Sequence, residues 1–149
     1  MTKLTHPRIE AARQGQNPSV ICCMPSGWVN LADKQYLRGY CILTADPLVE
    51  SLNALEVNAR AQFLTDMALV GDALLEVTGA YRINYAIAGN NVPILHAHIV
   101  PRYKTEPEDM RLNHPWAYPT EYMDGTPFDL QHDSPLLSQI REAIARRLK

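Results

Sequence analysis

The residues with the clearest chemical potential are His96 and His98, two apart in the stretch Asn91-Val92-Pro93-Ile94-Leu95-His96-Ala97-His98-Ile99-Val100-Pro101-Arg102-Tyr103. Side chains alternate faces along a strand, so both imidazoles point one way and Leu95, Ala97 and Ile99 point the other. Such a pair, backed by buried aliphatics, admits three readings. The rings could be solvated on an open sheet face. They could be two ligands of zinc or iron, completed by a residue such as His114 or Asp33. Or one neutral imidazole could attack phosphorus while the other donates a hydrogen bond to a phosphate oxygen. The loop Gly89-Asn90-Asn91 at the head of the strand can present backbone N–H groups and amides to an anion.

The elements that must hold this pair are legible from spacing and turn signals. The strand over 95–102 follows another over 83–88, across a turn with Gly89 and Pro93. Three short strands are expected earlier, over 20–24, 28–32 and 40–44, separated by Pro25-Ser26-Gly27 and by Asp33-Lys34-Gln35. The close spacing of the turns predicts an antiparallel meander. The longest helix is expected over 56–78, capped by Ser51 or Asn53 and closed by Gly79. Leu52, Leu55, Ala59, Phe63, Val70, Leu74 and Val77 give it an apolar face. Gly71 in its middle costs about 1 kcal/mol relative to Ala and suggests a close approach to a sheet. A short helix over 6–14 and a terminal amphipathic helix over 134–148, with Pro135 in its first turn, complete the set.

Composition narrows the partners. The 149 residues fit one domain, 1–149, and are 46% apolar and 20% charged. A net charge of -2 gives no basic field for duplex nucleic acid and no polybasic anchor for a membrane. Local geometry, not bulk charge, must therefore hold any phosphate ligand. Three cysteines, with Cys22 and Cys23 adjacent, make a poor disulfide framework. Met1–Arg13 lacks an apolar leader segment, and no apolar run approaches the ~18 residues of a membrane span, so the cytoplasm is expected.

On these residues the sequence resembles the histidine-triad family, in which three histidines alternate with apolar residues on a strand. Val92-Pro93 precedes the motif and Pro101-Arg102 follows it, as in many members. The order of a long helix followed by two strands also agrees. The resemblance covers roughly residues 18–103, leaving 104–149 as an extension. It implies an α+β fold, with an antiparallel sheet of about five strands packed on the long helix and an extra helical tail. It also implies that His96, at the second triad position, is a nucleophile toward the α-phosphorus of a nucleotide ester, anhydride or phosphoramidate. His98 would bind a phosphate oxygen, Asp33 the ribose hydroxyls, Asn84 the phosphate or the motif strand, and Asn91 the phosphate. No cofactor is implied, and Mg²⁺ would enter only with the substrate's phosphates. The expected partners are a small-molecule nucleotide and, through an exposed sheet edge, a second copy of the chain.

There are departures. Ile94 stands where the first triad histidine would be, and Gly39-Tyr40 replaces the usual Gly-His after the second-strand turn. Adjacent Cys22 and Cys23, together with Ile94, lack the ligand pattern of the structural zinc that some members carry. A nucleotide-binding module with little catalysis, and a metalloenzyme using both histidines as ligands, remain as rival functions. Other residues have competing readings. The tail could fold over the site, with Trp116 or Tyr118 stacking on a base, or it could be a surface loop or a dimer contact. Arg102 could pair with phosphate or form a strand-end salt bridge. His6 and His132 read as surface residues, Trp28 as core or interface, and the cysteines as small buried hydrophobes.

Overall fold

A computed structural model describes residues 3–149; Met1 and Thr2, where the stretch read for a leader begins, lie outside the described residues. The strands are β1 (Val20–Met24), β2 (Gly27–Leu31), β3 (Cys41–Ala45), β4 (Arg82–Ala86) and β5 (His96–Arg102). The helices are α1 (Pro7–Arg13), α2 (Val57–Thr78), α3 (Glu108–Arg111), α4 (Thr120–Asp124) and α5 (Leu130–Arg147). All five strands form one antiparallel sheet in the order β1-β2-β3-β5-β4. The architecture is the expected α+β arrangement, with one difference in its layers. α5 is not an appendage: it lies beside α2 on the same sheet face, and Leu136, Leu137, Ile140, Ala143 and Ile144 join the central core.

Strand alternation sorts the sheet into two chemically different faces. Val29, Leu31, Cys41, Leu43, Ala97 and Ile99 point to the helices and meet Phe63, Val70, Ala73 and Leu74 of α2. The opposite face carries Trp28, Thr44 and His96 in one cross-strand row. Asn30, Ile42, His98 and Ala86 form the next row. The segment after β5, with α3 and α4, folds over part of this second face and buries Tyr36, Tyr40, Val100 and Tyr118 in a smaller cluster.

Local chemistry explains most element ends. β2 begins at Gly27, one residue before the expected start, and a β-carbon there would lie 1.9 Å from the Thr44 carbonyl oxygen, so only glycine lets the strands pair this closely. α2 ends at Gly79, whose φ of 70° is the left-handed conformation that glycine adopts without steric cost. Its start differs from expectation. Ser51 and Asn53 belong to a separate 3₁₀ turn around Leu52–Ala54, and α2 begins after Glu56 with no side-chain cap. α5 starts four residues earlier than expected, since Asp129 accepts from the N–H groups of Gln131 and His132 while Asp133 accepts from Asp129 N–H. This reciprocal cap carries the helix through Pro135, which lies inside it and not at its first position. Among the described residues, no helix is long and apolar enough to cross a membrane.

Candidate active site

β5 is anchored on its helix-facing side by Ala97 and Ile99, both fully buried, so the two histidines are fixed on the other side without freedom to rotate the strand. Their rings are 5.0 Å apart, centroid to centroid, and lie edge to face. Both are half-buried. Ile94, at the position before them, is buried.

The two imidazoles differ in their second partners. His96 Nδ1 lies 2.6 Å from the Ile94 carbonyl oxygen. A carbonyl only accepts, so Nδ1 carries a proton, and in the neutral ring the lone pair is on Nε2. His98 Nδ1 lies 2.5 Å from the Tyr40 hydroxyl. Burial, reinforced by the neighbouring His96, pushes the His98 pKa down to about 4, so this ring is neutral at physiological pH. Trp116, from a 3₁₀ turn in the tail, packs its indole edge-on against His98 at 5.2 Å. Tyr36 helps hold that turn by donating to the Pro115 carbonyl at 2.7 Å.

His96 stands between two clefts. One, of about 190 Å³, is bounded by Ser51, Asn53, Gly89 and Ile94. The other, of about 240 Å³, lies between the sheet and the start of α1 and is lined by His6, Ile9, Asn30, Ile42, Thr44 and Val92. Thr44 is directly opposite His96 on β3, which places their β-carbons about 4.5–5.5 Å apart. His6 Nδ1 is buried without a hydrogen-bond partner among the described residues. Burial, reinforced by the neighbouring Arg8 and His96, lowers the pKa of His6 from its ordinary value. A roomier cavity of about 570 Å³, between α2, α5 and the tail, contains neither motif histidine; the site is marked by its chemistry and not by its volume.

The polar residues expected around the motif are distributed differently. Asp33 is exposed, lies outside both clefts, and has both carboxylate oxygens engaged by Arg8 of α1. Asn84 accepts from Arg102 at 2.7 Å, two residues along β5 from the His98 row. Asn91 is exposed in the loop before β5 and lines neither cleft. Arg102 is 2% exposed, and its donors go to Glu106, Asn84 and the carbonyls of Met110 and Asn113. It is therefore the strand-end salt bridge and not a phosphate ligand. Tyr118 is buried and donates to Glu106, which leaves it unavailable to stack on a base. His114 is exposed. Among the described residues, no three His, Cys, Asp or Glu side chains converge as a metal site would require.

Tyr40, Thr44, Asn30 and His6 are the site residues that spacing did not reveal. Tyr40 had one signal, its place after Gly39 where the resembled family has histidine. His6 had none, since 90 residues of chain separate it from His96 and only the docking of α1 brings them to one cavity.

No protein-family model and no curated protein matches the sequence. Solved structures do match by shape. A histidine triad protein from Sinorhizobium meliloti superposes with a TM-score of 0.73 at 20% identity, covering 95% of this chain and 97% of that one. A hypothetical histidine triad nucleotide-binding protein from Sulfolobus tokodaii gives 0.72 at 14% identity, covering 95% and 93%. The diadenosine triphosphate hydrolase of Plasmodium falciparum gives 0.60 at 15% identity, covering 89% and 80%. With its five-stranded sheet, its two packed helices and paired histidines on the open face, the chain has the histidine-triad fold.

Proposed function

We propose that this protein is a nucleotide hydrolase or nucleotidyl transferase that works through a covalent intermediate on His96. The observation that carries the reading is the bond from His96 Nδ1 to the Ile94 carbonyl, which in the neutral ring puts the lone pair on Nε2 where two clefts meet. In the first step Nε2 attacks the α-phosphorus of a nucleotide ester, anhydride or phosphoramidate. The bond from phosphorus to the leaving oxygen or nitrogen breaks, and the leaving group takes the electron pair, a nitrogen leaving group also taking a proton from solvent. In the second step water or another acceptor attacks the same phosphorus and gives its proton to solvent, and the P–N pair returns to His96. His98 donates to a non-bridging phosphate oxygen as charge develops there. The Gly89 loop lies at the mouth of one cleft, where its backbone can meet the anion. Two similarly folded proteins, a hypothetical nucleotide-binding protein and a diadenosine triphosphate hydrolase, support the substrate class.

Intact-protein mass spectrometry after a rapid acid-free quench tests this. Wild type and His96→Ala would be incubated with adenylyl and guanylyl substrates. A nucleotidyl adduct in wild type alone is expected. Saturable nucleotide binding with neither adduct nor turnover would establish a binding module instead.

The same resemblance supports a homodimer, and β4 is the strand with an open edge, since β1 at the other edge has Arg141 of α5 on its carbonyls. Analytical ultracentrifugation reads the mass directly. A monomer at micromolar concentration would remove the dimer from the proposal.

A further inference from the structure

We propose that Tyr40 is a positioning residue that fixes His98 in the tautomer with its proton on Nε2. The kinetic consequence rests on the nucleotidyl-histidine reading; the tautomer rests on the contact between Tyr40 and His98. Tyr40 is 5% exposed, and His98 Nδ1 is the side-chain partner its hydroxyl reaches, at 2.5 Å. Burial raises the phenol pKa well above its ordinary value, so the O–H persists and needs an acceptor. A proton on His98 Nδ1 would turn a donor toward the phenol oxygen and leave the phenol hydrogen unpaired inside the protein, since no other side chain among the described residues accepts it. The arrangement that satisfies both groups runs from Tyr40 O–H to His98 Nδ1 and outward through His98 Nε2–H.

The two motif histidines thereby take opposite tautomers. A carbonyl behind His96 makes it a lone-pair donor toward phosphorus, and a hydroxyl behind His98 makes it a hydrogen-bond donor toward oxygen. Two identical residue types acquire two different tasks from what stands behind them.

Nitrogen-15 NMR of the intact protein reads the His98 tautomer directly. Wild type is expected to show Nε2–H, and Tyr40→Phe a mixture of both forms. With the nucleotide that labels wild type, Tyr40→Phe should lower kcat by about tenfold or more with little change in KM, as for a misdirected transition-state donor. Tyr40→His, which restores an N–H toward Nδ1, should recover part of that loss. A wild-type His98 protonated on Nδ1, or a tautomer unchanged in Tyr40→Phe, overturns the proposal. If wild type neither labels nor turns over, the catalytic reading falls while the NMR result still decides the tautomer.

Discussion

Tyr85 of β4 lies in the space that a side chain on Gly71 of α2 would need: a β-carbon there would be 2.0 Å from the tyrosine hydroxyl oxygen. This is the close approach that a glycine inside a long helix suggested. Alone, Gly71→Ala should destabilise the fold by about 1 kcal/mol, because displacing the ring outweighs the gain in helix propensity. In a Tyr85→Ala background the same change should stabilise by up to about 1 kcal/mol. Urea unfolding of the four proteins in this cycle checks it, and equal effects in both backgrounds would refute the steric account.

Arg102 and Glu106 form a buried pair, 2% and 6% exposed, at 2.9 Å. Arg102→Ala would strand the Glu106 carboxylate and unfasten the tail, costing about 3–5 kcal/mol. Asn84→Ala removes one acceptor and should cost about 1–2 kcal/mol with KM unchanged. A tenfold rise in KM for the Asn84 variant would return that residue to the phosphate site.

Stability should depend on pH through the site histidines. Burial holds His98 down to about 4 from an ordinary 6.5 and also lowers His6, so the unfolded chain binds more protons than the native one within that window. Stability then rises with pH from about 4 to about 6.5 and is lost on acidification, by an amount on the order of 1–2 kcal/mol for His98 after allowance for solvent screening. Chemical denaturation at several pH values should show a slope that flattens in His98→Gln.

The ion pair of Arg8 and Asp33 has side chains 53% and 58% exposed. Asp33→Asn should therefore change stability by no more than about 1 kcal/mol. Its effect on KM separates two roles. A change under about twofold fits a carboxylate already engaged by Arg8, and a rise of about tenfold means that ribose displaces the arginine.

His6→Ala should leave the fold intact, because it removes a ring whose Nδ1 is buried without a partner among the described residues. It should raise KM if ligand occupies the cleft that His6 shares with His96. Titration calorimetry with the nucleotide that labels the protein measures this.

Local pattern sufficed for much of this protein. The alternation around Ala97 determined that His96 and His98 share one face and that Leu95 and Ile99 do not, because strand geometry leaves no other choice. Glycine and proline placed the strand boundaries within two residues, because backbone sterics act over a few residues. Long-range docking decided the rest. Asp33 and Asn84 occupy sequence positions suited to a ligand, yet Arg8 and Arg102 reach them from 25 and 18 residues away and take their oxygens. A pairing of that kind depends on which surfaces meet, and no local window contains it. The same holds for α5, whose apolar stripe could have served a tail or an interface until its contact with α2 made it core. Most of all, tertiary structure set the partners of the two rings. Two histidines on one strand face differ in surroundings because one turns its Nδ1 to a carbonyl of its own strand approach and the other to a hydroxyl 58 residues away.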